Sequence, residues 1–233
     1  MKREEITIRA IDSGSFNAYV ARPTVEPAPG LIVIQEIFGV NEVMRNLANS
    51  YAEAGYVAIV PDLFWRQEPG IQLQDSSEEE LQKAFELYKG FSEDKGLDDL
   101  VATLNTVRSM SNCTGKVGSV GYCLGGKLAY LMASHTTTDC DVSYYGVGIE
   151  NSLDELAAIK TPFLLHLAQK DDFVPPEACS LITDAFNYHP GVTLYTYPDV
   201  NHGFARLGGT SYDEQAANLA NSRSQEFLQE YLG

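Results

Sequence analysis

The sequence has little of what would build a disulfide scaffold, a nucleic-acid interface or a membrane span. It holds four cysteines without a CxxC pair, so we expect reduced thiols and a cytoplasmic location. Only 16 basic residues stand against 32 acidic ones, and the net charge of −16 disfavours phosphate backbones as partners. The apolar runs are far shorter than the ~20 residues of a membrane helix. The charged start MKREEITIRA lacks the apolar centre of a secretory signal, so no signal is expected.

The order of apolar and amphipathic segments predicts one α/β domain over residues 1–233 with a mostly parallel central sheet flanked by helices. Two alternating segments around Asp12, Ser13 and Gly14 predict an N-terminal β-hairpin, at residues 6–11 and 16–21. Further strands are predicted at residues 31–35, 57–60, 117–121, 142–145, 163–167 and 194–197. Helices are predicted at residues 41–54, 77–88, 97–110, 125–134, 175–186 and 213–231.

The sharpest chemical motif is the segment GYCLGG at residues 121–126, between a predicted strand and a predicted helix. It has the pattern of a nucleophile elbow with Cys123 in the position of the serine. Glycines leave room for the tight turn, and the helix N-terminus favours a thiolate and offers N–H groups to an oxyanion. The alternative interpretation is a buried cysteine in a glycine-rich turn. Cys113, Cys140 and Cys179 lack this context and are interpreted as inert.

Candidate partners of the cysteine follow two later strands. Asp171 and Asp172 come after the strand at 163–167, and His202 comes after the strand at 194–197. The chain order nucleophile, acid, base is the order used with this elbow. An imidazole can take the thiol proton, and a buried carboxylate can fix its tautomer. The residues alone leave both aspartates open, since either can cap the helix near Pro175.

The other three histidines are weaker candidates for the base. His166 lies within an apolar strand and is interpreted as a core residue. His135 ends a predicted helix, and His189 precedes a proline in a turn. The scattered cysteines and histidines have no metal-ligand spacing, so we expect neither a metal nor another cofactor.

The complete set of motifs resembles the dienelactone hydrolase family, in the same order and over essentially the whole chain. The motifs are QEIFG at residues 35–39, GYCLGG at 121–126, YYG at 144–146, Asp171, and NHGFAR at 201–206. The resemblance implies an α/β-hydrolase fold and a Cys123–His202–Asp171 triad. It also implies hydrolysis of an unsaturated lactone (carboxymethylenebutenolide) to an open-chain acid in aromatic compound catabolism, without a cofactor.

The resemblance also implies roles for residues outside the triad. Glu36 contacts the nucleophile in the family, and Arg206 pairs with that glutamate and binds the substrate carboxylate. The oxyanion donors are the backbone N–H groups of Ile37 and Leu124. From the residues alone, Glu36 also fits a solvated loop and Arg206 a surface position. Three aromatic residues are candidates for the pocket wall, although plain core is as good an interpretation: Phe38, Tyr144 and Tyr145.

Two departures from the family put the substrate in question. Leu81 stands where the family has a second arginine for the substrate carboxylate, and Arg66 is the candidate to replace it. Gly203 stands where well-known members have a serine. The alternative function is therefore a broad carboxylesterase or thioesterase acting on small esters. In either case we expect a monomer that takes a small, anionic lactone or ester and has neither nucleic-acid nor membrane partners.

Overall fold

A computed structural model describes all residues from 1 to 233. The chain divides into two compact units, Met1–Gly118 and Ser119–Gly233. Each unit has the alternating strands and helices of the predicted α/β class, and each contains parallel strand pairing. The prediction of a single domain over residues 1–233 stays a prediction. None of the helices combines the length and hydropathy that crossing a bilayer would require.

The first unit contains four paired strands in the order β1-β2-β4-β3. The pairs β1–β2 and β2–β4 are antiparallel and β3–β4 is parallel, so the N-terminal hairpin is confirmed. The strands are β1 (Lys2–Arg9), β2 (Ser15–Arg22), β3 (Ala28–Ile34) and β4 (Val57–Pro61). The helices are α1 (Glu42–Glu53), α2 (Glu78–Lys89) and α3 (Glu93–Ser109).

Side-chain caps start the helices of this unit. Asn41 accepts a hydrogen bond from the Met44 N–H at α1, and Ser77 accepts one from the Glu80 N–H at α2, as the capping pattern predicts. Helix α3 begins four residues before the predicted start, with Ser92 as its cap. Its first turn is acidic and carries no apolar stripe, which is why apolar spacing did not reveal it.

The second unit has only parallel pairing, in the order β5-β6-β7-β8. Its strands are β5 (Cys113–Tyr122), which begins before the unit boundary, β6 (Asp141–Tyr144), β7 (Phe163–Ala168) and β8 (Val192–Tyr197). Its helices are α4 (Leu124–His135), α5 (Pro176–Phe186) and α6 (Glu214–Leu232). A 3₁₀ segment, Ile149–Ala158, was not predicted.

Burial in the second unit explains where its loops meet. Every residue of β6 and β7 is buried, as expected for parallel strands covered on both faces, whereas β8 is half-exposed. Parallel strands end at the same edge of a sheet, and ligand sites of α/β folds lie outside those carboxyl ends. The loops that follow β5, β6, β7 and β8 therefore carry the candidate site residues of this unit to one edge.

Candidate active site

Cys123 occupies a strained turn between β5 and α4. Its φ of 57° and ψ of −115° lie outside the regions that side chains favour, as in a nucleophile elbow. A Cβ on Gly121 would lie 1.8 Å from the carbonyl oxygen of Gly125, and one on Gly126 would lie 2.7 Å from that of Tyr144. Only glycine fits at these two positions, so Gly121 and Gly126 are explained by close backbone approach.

Backbone hydrogen bonds hold the turn in place. The N–H of Cys123 donates to the carbonyl of Tyr144 at 3.1 Å, and its carbonyl accepts from the N–H of Gly126 at 3.0 Å. Helix α4 begins at Leu124. The first N–H groups of a helix have no partner within the helix and carry its positive dipole end. The thiol is thus placed where negative charge is favoured.

His202 and Asp171 lie together at the ends of β8 and β7. Nδ1 of His202 lies 2.8 Å from Oδ2 of Asp171. The other carboxylate oxygen accepts from the N–H groups of Phe173 at 2.8 Å and Val174 at 3.2 Å. The Asp171 side chain is fully buried, whereas that of His202 is 13% exposed. This carboxylate therefore fixes the tautomer of His202, with Nδ1 protonated and Nε2 turned to other partners.

The surroundings of His202 strongly change its affinity for a proton. Burial alone lowers the pKa of an imidazole, but the negative charge of Cys123 and hydrogen bonds to Asp171 and Cys123 raise the pKa of His202 to about 10. Cys123 therefore lies close enough to His202 to contribute both a charge interaction and a hydrogen bond to this shift. The structure thus brings Cys123, His202 and Asp171 into one connected group.

Aromatic rings surround the imidazole of His202. The ring centroid of Tyr145 lies 5.0 Å away and that of Phe173 lies 4.8 Å away, both edge-on. Tyr145 has a φ of 39°, which is rare for a residue with a side chain. Phe173 is 48% exposed and was not predicted to contribute, because no periodic pattern marks a loop residue. Its N–H bond to Asp171 explains its place beside the imidazole.

The second aspartate, Asp172, has a different role from Asp171. Its carboxylate accepts a hydrogen bond from Nδ2 of Asn201 at 2.6 Å, and its N–H donates to Oδ1 of the same residue at 3.0 Å. Neither contact caps helix α5, whose N-cap is Pro175. Sequence reasoning did not single out Asn201, although its position before His202 was visible.

Tyr144 lies in the core, which is one of the two interpretations that the sequence left open. It is fully buried, and its hydroxyl bonds to Asn221 at 3.0 Å and Ser224 at 2.7 Å on α6. Tyr145 follows the end of β6 with a φ of 39°, so its ring takes a different direction and packs edge-on against that of Tyr144, with the centroids 6.1 Å apart. His166 pairs with Tyr144 on the neighbouring strand and is a core histidine as predicted.

Both ring nitrogens of His166 have hydrogen-bonding partners. Nδ1 lies 2.8 Å from the hydroxyl of Tyr197, and Nε2 lies 2.8 Å from that of Ser224. Burial lowers the pKa of His166 to about 3, so the ring is neutral at pH 7. Cys140 and Cys179 are buried, and the Cys179 thiol bonds to the carbonyls of Ala168 and Val174.

The segment after β3 in the first unit carries Glu36, Ile37 and Phe38, and all three are buried. The side chain of Gln35 braces this segment, since it donates to the carbonyl of Glu36 and accepts from the N–H of Leu63. In the second unit, Arg206 is buried in the loop after β8. Neither Glu36 nor Arg206 therefore occupies the solvated position that the sequence had left open.

The structure explains Gly203 and places Arg66 and Leu81, the other residues of the two departures. Gly203 has a φ of 75°, which glycine adopts without strain. Arg66 is engaged elsewhere: its guanidinium bonds to Asp99 at 2.8 Å and Asp12 at 3.0 Å. Leu81 lies on α2 one residue after three glutamates. Arg66 is therefore held by two carboxylates of its own unit.

Comparison with known proteins places the chain in a family. The model of the dienelactone hydrolase family matches residues 16–232. The chain belongs to the dienelactone hydrolase family. As a member it is a carboxylic ester hydrolase.

Relatives of this dienelactone hydrolase family member cover nearly the whole chain. An Azospirillum brasilense relative is 45% identical over 98% of this chain and 99% of its own. The carboxymethylenebutenolidase of Pseudomonas putida is 40% identical over 98% and 97%. A crystal structure of a Klebsiella pneumoniae relative is 25% identical, covers 99% of this chain and 100% of its own, and has a TM-score of 0.84.

Proposed function

We propose that this protein hydrolyses a small unsaturated lactone of the carboxymethylenebutenolide type to an open-chain acid through a Cys123–His202–Asp171 triad. The single observation that carries the proposal is the connected group of thiol, imidazole and buried carboxylate at the end of three parallel strands. The carboxymethylenebutenolidases among the relatives support the lactone as substrate. The monomeric state and the cytoplasmic location remain predictions from the sequence.

The proposed reaction has two halves that share one histidine. The sulfur of Cys123 attacks the lactone carbonyl carbon, a C–S bond forms, and the ring C–O bond breaks. The leaving oxygen takes a proton from His202. A water molecule then gives a proton to His202, its oxygen bonds to the acyl carbon, and the thioester C–S bond breaks to return Cys123. Asp171 keeps His202 in the required tautomer throughout.

Negative charge on the carbonyl oxygen needs donors in both halves. The N–H of Leu124 at the start of α4 suits this role, since helix N-termini bind anions. By family resemblance we assign the second donor to the N–H of Ile37. On the same ground, Glu36 acts on the thiol and Arg206 binds the substrate carboxylate.

Replacement of Cys123 or His202 by alanine tests the triad. Each variant is expected to lower kcat/KM on an activated aryl ester by roughly 10³-fold or more. Mass spectrometry of the native enzyme mixed with substrate should detect an acyl adduct on the peptide that holds Cys123. Unchanged turnover in either variant would rule out the triad.

A broad esterase is the second candidate, and the missing arginine favours it. Leu81 supplies no charge for a carboxylate, and Arg66 is bound to Asp99 and Asp12. Loss of one charge-assisted hydrogen bond costs ~1.5–3 kcal/mol, or ten- to a hundredfold in affinity. Turnover of cis- and trans-dienelactone should be compared with neutral aryl esters.

The variant Arg206→Ala separates the two candidates. For a lactone hydrolase that recognises a carboxylate, this change should cripple turnover of the dienelactones and spare the neutral esters. An equal loss on both substrates would reject Arg206 as a carboxylate ligand. Preference of the unaltered enzyme for neutral esters over dienelactones would favour the esterase.

A further inference from the structure

The loops that carry Asp171 and His202 are joined by hydrogen bonds beyond the end of the strand pairing. Regular pairing of β7 with β8 ends at Ala168 and Tyr197. We define the acid loop as residues 169–175 and the base loop as residues 198–206. Two backbone hydrogen bonds follow the last strand pair. The Gln169 N–H in the acid loop donates to the carbonyl of Tyr197 at the end of β8 at 3.0 Å, and the Lys170 N–H donates to the carbonyl of Val200 in the base loop at 3.1 Å.

The side-chain amide of Asn201 continues the connection toward the site. Its Oδ1 accepts from the N–H of Asp172 at 3.0 Å and from the N–H of His202 at 2.6 Å. Its Nδ2 donates to Oδ2 of Asp172 at 2.6 Å. Because two backbone donors point at one atom, that atom must be the oxygen, and the amide has only one orientation.

This amide connects the neighbours of both triad residues. Asp172 directly follows Asp171, and the second backbone donor belongs to His202 itself. Asp171 is anchored within its own loop by the N–H groups of Phe173 and Val174. In the base loop, the backbone N–H of His202 donates to Oδ1 of Asn201, and the same oxygen accepts from the N–H of Asp172 in the acid loop. One amide oxygen therefore links the backbone of the two loops beside the acid and the base.

We propose that Asn201, paired with Asp172, is a positioning residue that holds His202 in register with Asp171. The proposal rests on the proposed function, since it assigns the pair a purpose only if His202 and Asp171 act in the reaction. A displacement of about 1 Å in such a group can cost on the order of a hundredfold in rate. The pair therefore acts on kcat through the imidazole and leaves substrate binding unchanged.

A nearby ion pair on the same two loops serves as the matched control. Nζ of Lys170 lies 3.0 Å from Asp199, but the two side chains are 62% and 85% exposed. Exposed pairs contribute at most ~1 kcal/mol and fix little geometry. Lys170→Ala is therefore expected to leave kcat unchanged, although it also removes a contact between these loops.

Exchange of the two side chains tests the proposal. Asn201→Asp places a second carboxylate against Asp172 and removes the Nδ2 donor, so kcat should fall ~10- to 100-fold with KM unchanged. Adding Asp172→Asn restores a donor opposite an acceptor, and the double variant should recover kcat to within about threefold of the native value. Asn201→Ala, which adds no charge, should show the same loss as Asn201→Asp.

Two further measurements keep the outcomes distinct. The downfield proton resonance of His202 Nδ1–H should broaden in Asn201→Asp and return in the double variant. Thermal unfolding of each variant separates a general loss of folding from a local one. If His202→Ala is inactive, two results would overturn the role of the Asn201–Asp172 pair and leave the proposed function intact. One is a native kcat in both Asn201 variants, and the other is a double variant whose kcat is no better than that of Asn201→Asp. Activity of His202→Ala would instead overturn the proposed function.

Discussion

The ring of Tyr145 lies edge-on to the imidazole of His202, with the ring centroids 5.0 Å apart. Tyr145 takes this position with a φ of 39°, directly after β6, where its N–H donates to the carbonyl of His166. Backbone strain of this kind costs ~1–3 kcal/mol and persists only where the surroundings enforce it. Cys123, the other non-glycine residue with positive φ, belongs to the same group of contacts around His202. Strain in this protein is thus concentrated around one imidazole.

Asp171→Asn should separate the electrostatic role of the carboxylate from its structural one. The asparagine oxygen can still accept from the N–H groups of Phe173 and Val174, so the loop should keep its conformation. The negative charge is lost and the opposite tautomer of His202 becomes accessible. We expect kcat to fall by roughly 10³- to 10⁴-fold with a small change in melting temperature, measured on an aryl ester and by calorimetry. A kcat within tenfold of native would contradict this role.

Removal of the thiol should lower the proton affinity of His202. The charge of Cys123 is the largest of the effects that raise the pKa of this imidazole to about 10. In Cys123→Ala, an NMR titration of the ring should give a clearly lower midpoint. Part of the pKa increase should remain, because the hydrogen bond to Asp171 is still present. An unchanged midpoint would contradict the coupling.

The same pKa shift predicts a pH dependence of stability. An unfolded imidazole titrates near pH 6.5. Because the folded pKa of His202 is higher, its contribution to the free energy of unfolding is complete below about pH 6.5 and is lost as pH rises through about 10. The difference in the free energy of unfolding between native protein and Cys123→Ala, measured with urea, should therefore become smaller as pH rises from 6 to 10.

Gly121→Ala should disrupt the turn that holds Cys123. The new Cβ would lie 1.8 Å from the Gly125 carbonyl oxygen, and backbone on both sides must move. Overpacking of this kind costs ~1–3 kcal/mol or more, and the displaced thiol should reduce kcat as well. Gly191→Ala is the matched control, because its nearest contact would be an ordinary 3.5 Å. Equal melting temperatures for the two variants would show that the turn tolerates a side chain.

Asp141 should make the folded state less stable as pH rises. Burial raises its pKa to about 7, although Ser119, Thr138 and Thr161 donate hydrogen bonds that lower it. An unfolded aspartate titrates near 3.9, so this stabilising contribution is complete below about pH 4 and is lost as pH rises through about 7.

The variant Asp141→Asn measures that contribution. It cannot ionise, so its free energy of unfolding relative to native protein should rise between pH 5 and pH 8, by a few kcal/mol at most. Exposed Asp184→Asn on α5 is the control and should follow the native pH dependence. If the difference between Asp141→Asn and native protein stays constant over this range, the buried carboxyl group titrates normally.

The sequence predicted those parts of the site that depend on local pattern. The elbow at Cys123 follows from a strand, a glycine-rich turn and a helix that are contiguous in the chain. Cys123, Asp171 and His202 each follow a predicted strand, and parallel strands end at one edge of a sheet, so the three residues were expected to lie together. The core position of His166 follows from its apolar neighbours. These inferences need only short-range patterns and the geometry of parallel strands.

Other features came from packing between distant segments. No pattern assigns a role to Phe173 or to Asn201, although Asn201 begins the motif NHGFAR, since their roles depend on contacts between two loops about 30 residues apart. Tyr144 and Tyr145 look alike in sequence, and only the end of β6 decides that one faces α6 and the other His202. The 3₁₀ segment Ile149–Ala158 and the first turn of α3 lack the apolar periodicity on which prediction relies.

The sequence by itself determined the α/β class, the hairpin and the residue types from which a thiol nucleophile, a base and an acid can be drawn. Only the tertiary structure decided between Asp171 and Asp172, which are adjacent and chemically identical. One carboxylate reaches Nδ1 of His202 at 2.8 Å, and the other reaches the amide of Asn201 at 2.6 Å. The reason is geometric: successive side chains of a loop point in different directions, and the chain segment packed against each one sets its chemistry.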